Sequence, residues 1–482
     1  IHSYVSLDEY EKVHFSTNSL SFVLLIPFLF FVIFMIFKSV SKLSELNIFA
    51  FCSVVYLLFC IYLIYNVDST IRADAKHLFN AAYEFNTGNF MALRPGNYVA
   101  NYPHQLGFIT LERFFIFLRN TPKTIFLLNS VTVIGINFLQ WKITNIVFSQ
   151  SKEINKISIL LSFMFLPQLF FVLFAYGLIL GLFFFYWSVY LTFKYFQTGK
   201  IHFALCSILP LTLSYLIKNN FLIGVIAILI IHVLIFLKHN KKSGILLVFL
   251  VPATIVLSTS VLNNVYENSS VYKIDSSMPK SLYLAMGIQD NKEVTTYRGW
   301  YNGYHKKVFD DVKFDSEKAD IIAKKEIRHR INYFMENPLY ALDFFVGKVI
   351  STWNDPMFQS IWSGPLEDTG QYTHTKFLKS IYNGKGVYIW LSHFMNSYMT
   401  VLLGTTAILL LISQKRRENS IFSIYSIFCC LFFIGGFTFH LFWETKSQYV
   451  YPYVFIMIPC SAYVLNHLFN HVSLILFKNK TL

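Results

Sequence analysis

Between Phe221 and Leu237 the chain runs FLIGVIAILIIHVLIFL, without a single charged residue. A segment crossing the hydrocarbon of a bilayer needs about 20 apolar residues as a helix, because no water is there to satisfy an amide left outside one. Runs of roughly that length recur near 20–37, 48–66, 124–147, 157–175, 177–196, 201–217, 220–237, 243–262, 388–412, 420–442 and 451–469. They predict an all-α integral membrane protein of about eleven transmembrane helices. Pairs such as 157–175 and 177–196 leave so little connecting chain that they must turn as tight hairpins. Composition closes off the alternatives. Apolar residues make up 55% of the chain, charged ones 14%, and mean hydropathy is +0.49, where a soluble domain carries about 25% charge. Soluble, disordered, collagen-like and coiled-coil chains are excluded by these figures.

The net charge of +14 would point to nucleic acid in a soluble protein. Here the basic residues crowd into short loops between apolar runs, where they report orientation instead. Lys152, Lys156, Lys200, Lys238, Lys241, Lys242, the run Lys415–Arg416–Arg417, Lys478 and Lys480 mark the cytoplasmic side. Alternation then puts 67–123, 263–387 and 443–450 on the opposite face, with the N-terminus outside and the C-terminus inside. Lys38 and Lys42 add little to this at the first loop. The first apolar run lacks a small-residue cleavage site and is expected to be a span. All six cysteines sit inside apolar runs with no CxxC spacing, so neither a zinc site nor a disulfide framework is expected.

Two outer segments are longer than connectors require. Residues 67–123 hold helical apolar spacing over Ala73–Phe85 and Leu106–Leu118. The second stretch carries Glu112, Arg113 and Arg119, is too short to span, and is expected to lie flat at the interface. Residues 263–387 form the one sizeable polar region, with Asp275, Asp290, Asp310, Asp311, Asp315 and Asp320 and amphipathic stretches at Glu317–Phe334 and Pro338–Trp353. The expected organisation is therefore an N-terminal transmembrane module (1–262) containing the outer loop 67–123, a small extracytoplasmic helical cap (263–387) and a C-terminal transmembrane module (388–482). Acids gather at the outer water–lipid boundary, whereas a proton-driven pump or ion channel places them in mid-membrane. No inverted hydropathy repeat of the transporter kind stands out. Chemistry or binding at the interface is the reading this charge distribution favours.

Asp74 follows the second span, with Arg72 and Lys76 beside it; taken alone, it is an acid at the start of a helix. Phe79, Ala82, Phe85, Gly88 and Phe90 follow at regular intervals, and Tyr102–Pro103–His104 turns into the interfacial stretch. This arrangement resembles the first outer loop of GT-C glycosyltransferases, nearest to family 39 and its bacterial relatives: protein O-mannosyltransferases, lipid A aminoarabinose transferases and Gram-positive cell-surface glycosyltransferases. Further matches follow in order: SYLIK at Ser214–Lys218, AMGIQ at Ala285–Gln289, RGWYN at Arg298–Asn302, Gly347–Lys348 before Trp353–Asn354–Asp355, and ETKSQYVYP at Glu444–Pro452. The chain departs from the family where Asp74–Ala75 replaces an acidic pair, Gln448 stands for an arginine with Lys446 nearby, and Tyr102–Pro103–His104 replaces His-Pro-Pro.

The resemblance implies GT-C architecture and an inverting enzyme that takes a monosaccharide from a polyprenyl phosphate such as undecaprenyl phosphate. The acceptor would be a cell-envelope glycan, glycolipid or teichoic-acid-type polymer. It implies Asp74 as general base, with Asp68 as rival, and Arg72, Lys218 and Lys446 at the departing phosphate. Tyr102, His104, Glu84 and Tyr449 would touch sugar or acceptor, Trp353 is a further stacking candidate, and Glu444 would order the last outer loop. No metal, no cofactor beyond the lipid-linked donor and no nucleic acid are expected. A transporter or flippase of lipid-linked sugars is the alternative from another class, and a polysaccharide polymerase or ligase the alternative enzyme.

Overall fold

A computed structural model describes residues 1–8, 11–17, 20–148, 151–239, 242–274, 277–290, 297–413 and 421–477. Lys241, the run 415–417, Lys478, Lys480 and Asp275 fall outside that set, as do the side chains of Lys238 and Lys242. The described residues are 77% helical, those of an all-α protein with many apolar helices. Eight described helices are long and apolar enough to cross a membrane: Glu45–Tyr65, Pro122–Val147, Leu178–Thr198, Asn219–Leu237, Gly244–Asn268, Val387–Leu411, Ile421–Phe442 and Tyr451–Ile475. The remaining three expected runs are irregular. Leu24–Val40 and Ile201–Ile217 are shorter apolar helices, and Lys152–Met164 meets Pro167–Leu173 at a 49° bend. Pro167 causes that break, since its ring excludes the preceding turn and supplies no amide. Gly177, at φ +77°, then reverses the chain into Leu178–Thr198.

Contacts at the two ends of the bundle sort the loops. At one end Lys156 Nζ bonds the carbonyl of Ser41 at 2.5 Å, while Trp141 and Asn155 donate to Glu45 at 2.8 and 3.2 Å. The 38–45 and 149–156 connections thus share a face. The other end gathers 67–123, 263–387, 443–450 and the N-terminal residues. Asp68 accepts from the Tyr372 amide at 2.7 Å, Arg72 reaches the Gly364 carbonyl at 3.2 Å, and Lys348 bonds the Trp443 carbonyl at 2.7 Å.

At that second end the helices Ala73–Asn86 and Leu106–Leu118 pack on one another. Glu112, on the inner face of Leu106–Leu118, is 1% exposed and its carboxyl is pushed well up by burial, whereas Phe114 and Phe117 stand exposed. The cap is built from Lys280–Gly287, Tyr304–Asp311, Ser316–Glu336 and Pro338–Trp353, around Met278, Leu282, Phe309, Ala319 and Ala323. One feature goes against an all-helical expectation: His2–Val5 and Val13–Ser16 form an antiparallel hairpin. It is docked on the cap by the Ser3 amide to the Asn354 carbonyl at 3.1 Å and Trp362 Nε1 to the Asp8 carbonyl at 2.9 Å.

Candidate functional site

Asp74 occupies the first turn of Ala73–Asn86, and the residue before it, Ala73, has φ +52°. A left-handed backbone at alanine is strained by a few kcal/mol at most, on the order of 1–3. That turn presents Ile71, Arg72, Ala73, Asp74 and Ala75 together along one recess, facing Tyr176, Trp362, Ser363, Lys446, Gln448 and Tyr449. The recess is narrow, about 40 Å³, which is room for roughly three water-sized groups. It can take a hydroxyl and its neighbours, but not a whole sugar.

Asp74 is exposed into this recess and has no hydrogen-bond or ion-pair partner among the described residues. The surrounding protein strips water from it and raises its carboxyl above the ordinary range. Lys446, His77 and Lys218 oppose that shift, Glu11 adds to it, and desolvation wins. A helix N-terminus also favours the anion, yet the direction stays upward. The result is a carboxylate of raised basicity, as proton abstraction requires.

Three cations surround it. Lys446 is clasped by both carboxylate oxygens of Glu11 at 2.8 and 2.7 Å. Burial would lower its ammonium, but Glu11, Glu444 and Asp74 outweigh that and hold it up. Lys218 lies 3.6 Å over the Tyr176 ring and is 5% exposed. Burial lowers its amine to about 7 despite Asp74 and Glu444. Arg72 stacks 3.9 Å over Trp362, a cation–π contact. Lys218 comes close because Gly107 and Gly177 let the end of Ile201–Ile217 approach. A Cβ on Gly107 would meet the Leu216 carbonyl at 2.1 Å, and one on Gly177 the Ile217 carbonyl at 2.9 Å.

Tyrosines from four segments close the rest. Tyr98, Tyr102, Tyr176, Tyr283, Tyr301 and Tyr449 all have hydroxyls held up first by desolvation and further by the Asp74 charge. Tyr98 and Tyr176 hydroxyls bond at 2.8 Å, and Gln105 donates to Tyr176 at 3.0 Å. Tyr102 bonds Nε2 of His305, on the cap, at 3.0 Å. Burial lowers His104 to about 4, with Lys218 and Lys280 adding to the shift, so it is neutral at pH 7.

The structure therefore brings together Asp74, Arg72, Lys218, Lys446, Tyr102, His104 and Tyr449. It does not bring Glu84, which lies ten residues further along the Asp74 helix, about 15 Å away by helical rise. Asp68 is engaged by the Tyr372 amide and by His374 at 3.3 Å, holding the cap against the second span. Trp353 packs on Phe433, Phe437 and Tyr453 rather than beside the recess. Glu444 is buried, with its carboxyl raised to about 7 by burial and its amide bonded to the Tyr283 carbonyl at 3.2 Å. AMGIQ and RGWYN serve as scaffold. Lys348 threads between them to bond the Gly287 and Trp443 carbonyls at 2.5 and 2.7 Å, and Trp300 donates to Ser351 at 3.0 Å.

Sequence reasoning missed Glu11, Trp362, Tyr301 and His305. Glu11 sits 435 residues from Lys446 in a segment with no helical or motif signal, so nothing in the sequence announces the pair. Comparison of the chain with protein-family models and with curated proteins finds no match to either.

Proposed function

We propose that this chain is a membrane glycosyltransferase of the GT-C kind, transferring one sugar from a polyprenyl phosphate to an envelope glycan, glycolipid or teichoic-acid-type acceptor at the outer face of the cell membrane. The observation that carries the reading is Asp74, without a partner among the described residues and with its carboxyl raised, lining one recess with Lys446 and Arg72 and within the electrostatic reach of Lys218. An acid of raised basicity and a cluster of cations are the two parts this reaction asks for.

In the proposed step the acceptor hydroxyl oxygen attacks the anomeric carbon and its proton passes to Asp74. The bond from that carbon to the phosphate oxygen breaks, and the electron pair leaves with the lipid phosphate. The anomeric centre inverts in one displacement. Charge grows on the phosphate, where a cation held in a water-poor site is worth more than in water. Arg72 suits that role through its planar fork, while Lys446 would exchange Glu11 for the phosphate. The tyrosine-rich wall offers flat faces to a sugar, and His104, neutral, can accept or donate without adding charge.

The test is incubation of the purified chain with a panel of polyprenyl-phosphate monosaccharides, reading acceptor-dependent release of lipid phosphate. Asp74→Asn should lose release by about 100-fold or more, the usual contribution of a positioned base, while donor binding persists. Undiminished release by Asp74→Asn ends the assignment of the base. Donor binding and bilayer crossing without release, in the unsubstituted chain, would identify a flippase instead.

A further inference from the structure

The helix Pro338–Trp353 runs alongside the end of Ile421–Phe442, not above it. Phe345 meets Phe442 with ring centroids 5.8 Å apart, and eight residues later Trp353 meets Phe437 at 5.8 Å and Phe433 at 5.0 Å. From Phe345 to Trp353 is about 12 Å of helix, and from Phe442 back to Phe433 about 13 Å. The two helices are therefore antiparallel neighbours over that length, and the second half of Pro338–Trp353 lies at the depth of the span's last turns.

The same face, carried on from Trp353 past the end of the span, is covered by no described residue. Leu339 is 82% exposed, Leu342 63% and Val346 47%, with Met335 at 69% on the preceding helix Ser316–Glu336. The spacing 339, 342, 346 is one helix face, and soluble surfaces rarely expose so large an apolar group. Between this hairpin and the span end lies an almost wholly apolar cleft of about 660 Å³, with Ile331, Phe334, Met335 and Phe345 on one wall and Phe439 and Phe442 on the other. The span face beside it is itself apolar and exposed at Ile434 and Phe442, as a lipid-facing surface is. The cleft continues that surface, and the stripe follows it past the span end, flanked by Asp343, which pairs with Arg298 at 2.7 Å.

We infer that the tip of this hairpin, 331–346, is seated at the polar–apolar boundary of the leaflet on its own side of the membrane, with Met335, Leu339, Leu342 and Val346 against lipid and a phospholipid acyl chain filling the cleft. Its apolar tip has the chemistry of a monotopic element, although the cap is the most polar region of the chain. Exposed apolar groups gain by leaving water, and the bilayer edge beside Phe442 is the apolar phase nearest to them. The inference needs only that the chain is a membrane protein; it is independent of the proposed reaction.

The experiment reconstitutes the full chain in phosphatidylcholine vesicles containing a phospholipid with a diazirine in one acyl chain. After irradiation and digestion, labelled peptides are read by mass spectrometry. Val256 and Leu257, exposed on the span Gly244–Asn268, are the internal reference for lipid contact. Labelling of 335–346 at a yield like that of 256–257 is the expected result. A peptide 335–346 left unlabelled while 256–257 is labelled overturns the inference, whether the hairpin stands in water or is covered by a second copy of the chain.

Discussion

Gly287→Ala is the sharpest test of how the recess is held. An added Cβ would lie 2.3 Å from both the Phe442 carbonyl oxygen and the Trp443 carbonyl carbon, and 2.5 Å from the Glu444 amide nitrogen. All three are backbone atoms, so no side chain can swing away. Either Lys280–Gly287 or the 442–446 segment must shift by the better part of an ångström. That segment is pinned by the Glu444 amide to Tyr283 at 3.2 Å and by Lys348 to Trp443 at 2.7 Å, and it carries Lys446. Overpacking of this kind costs about 1–3 kcal/mol, and a strained hydrogen bond adds about 1 more. At 1.4 kcal/mol per tenfold, a few kcal/mol is a 10- to 1,000-fold effect, roughly, on whatever depends on that placement. The assay pairs thermal unfolding in detergent with lipid-phosphate release. Gly404→Ala is the control, because nothing lies within 4 Å of its Cβ and alanine is the better helix former. Gly287→Ala should unfold earlier and lose release, while Gly404→Ala unfolds no earlier. A Gly287→Ala protein equal to the parent in both measurements would refute the close approach.

Three further outcomes follow from the same geometry. Release should rise as pH climbs through the raised Asp74 value, since the base must be ionised. It should fall above about 7 as Lys218 gives up its proton. Lys218→Arg should move that alkaline limb upward, because guanidinium stays protonated, and an unmoved limb would remove Lys218 from the phosphate site. Glu11→Gln should lower thermal stability by less than the roughly 3–5 kcal/mol of an orphaned buried charge, because Glu444 and Asp74 still face Lys446. It should also tighten donor binding by freeing Lys446, so a weaker apparent affinity in titrations would contradict the exchange. Glu84→Gln should leave release within about twofold of the parent, as expected of a surface charge far from the recess; a large loss would place acceptor binding elsewhere.

The apolar runs were legible because a bilayer imposes one answer on them. Every run fell on a helix or a bent helix pair, and their order put three long segments on one side, where the contacts gather them at one end of the bundle. Asp74 and its flanking Arg72 were legible for a similar reason, since an acid and a base next to a span end stand out against hydrocarbon. The bend at Pro167 was not, because periodicity continues across it and only the break in hydrogen bonding reveals it. That Glu112 turns inward was not legible either, since a 13-residue stretch that is apolar nearly all round has no unambiguous face. The N-terminal hairpin was invisible: two strands of four residues have too little alternation to register.

The sequence by itself determined that this chain carries many membrane-length apolar helices, how they are spaced, and that most of its acids fall in the segments between them. Those properties follow from local hydrophobicity, which needs no knowledge of neighbours. Tertiary structure alone decided which charges meet. Glu11 reaches Lys446, Lys218 reaches the first loop and His305 reaches Tyr102 only because glycines and packed helices close gaps of tens to hundreds of residues. Electrostatic coupling falls with distance in space, not with separation along the chain.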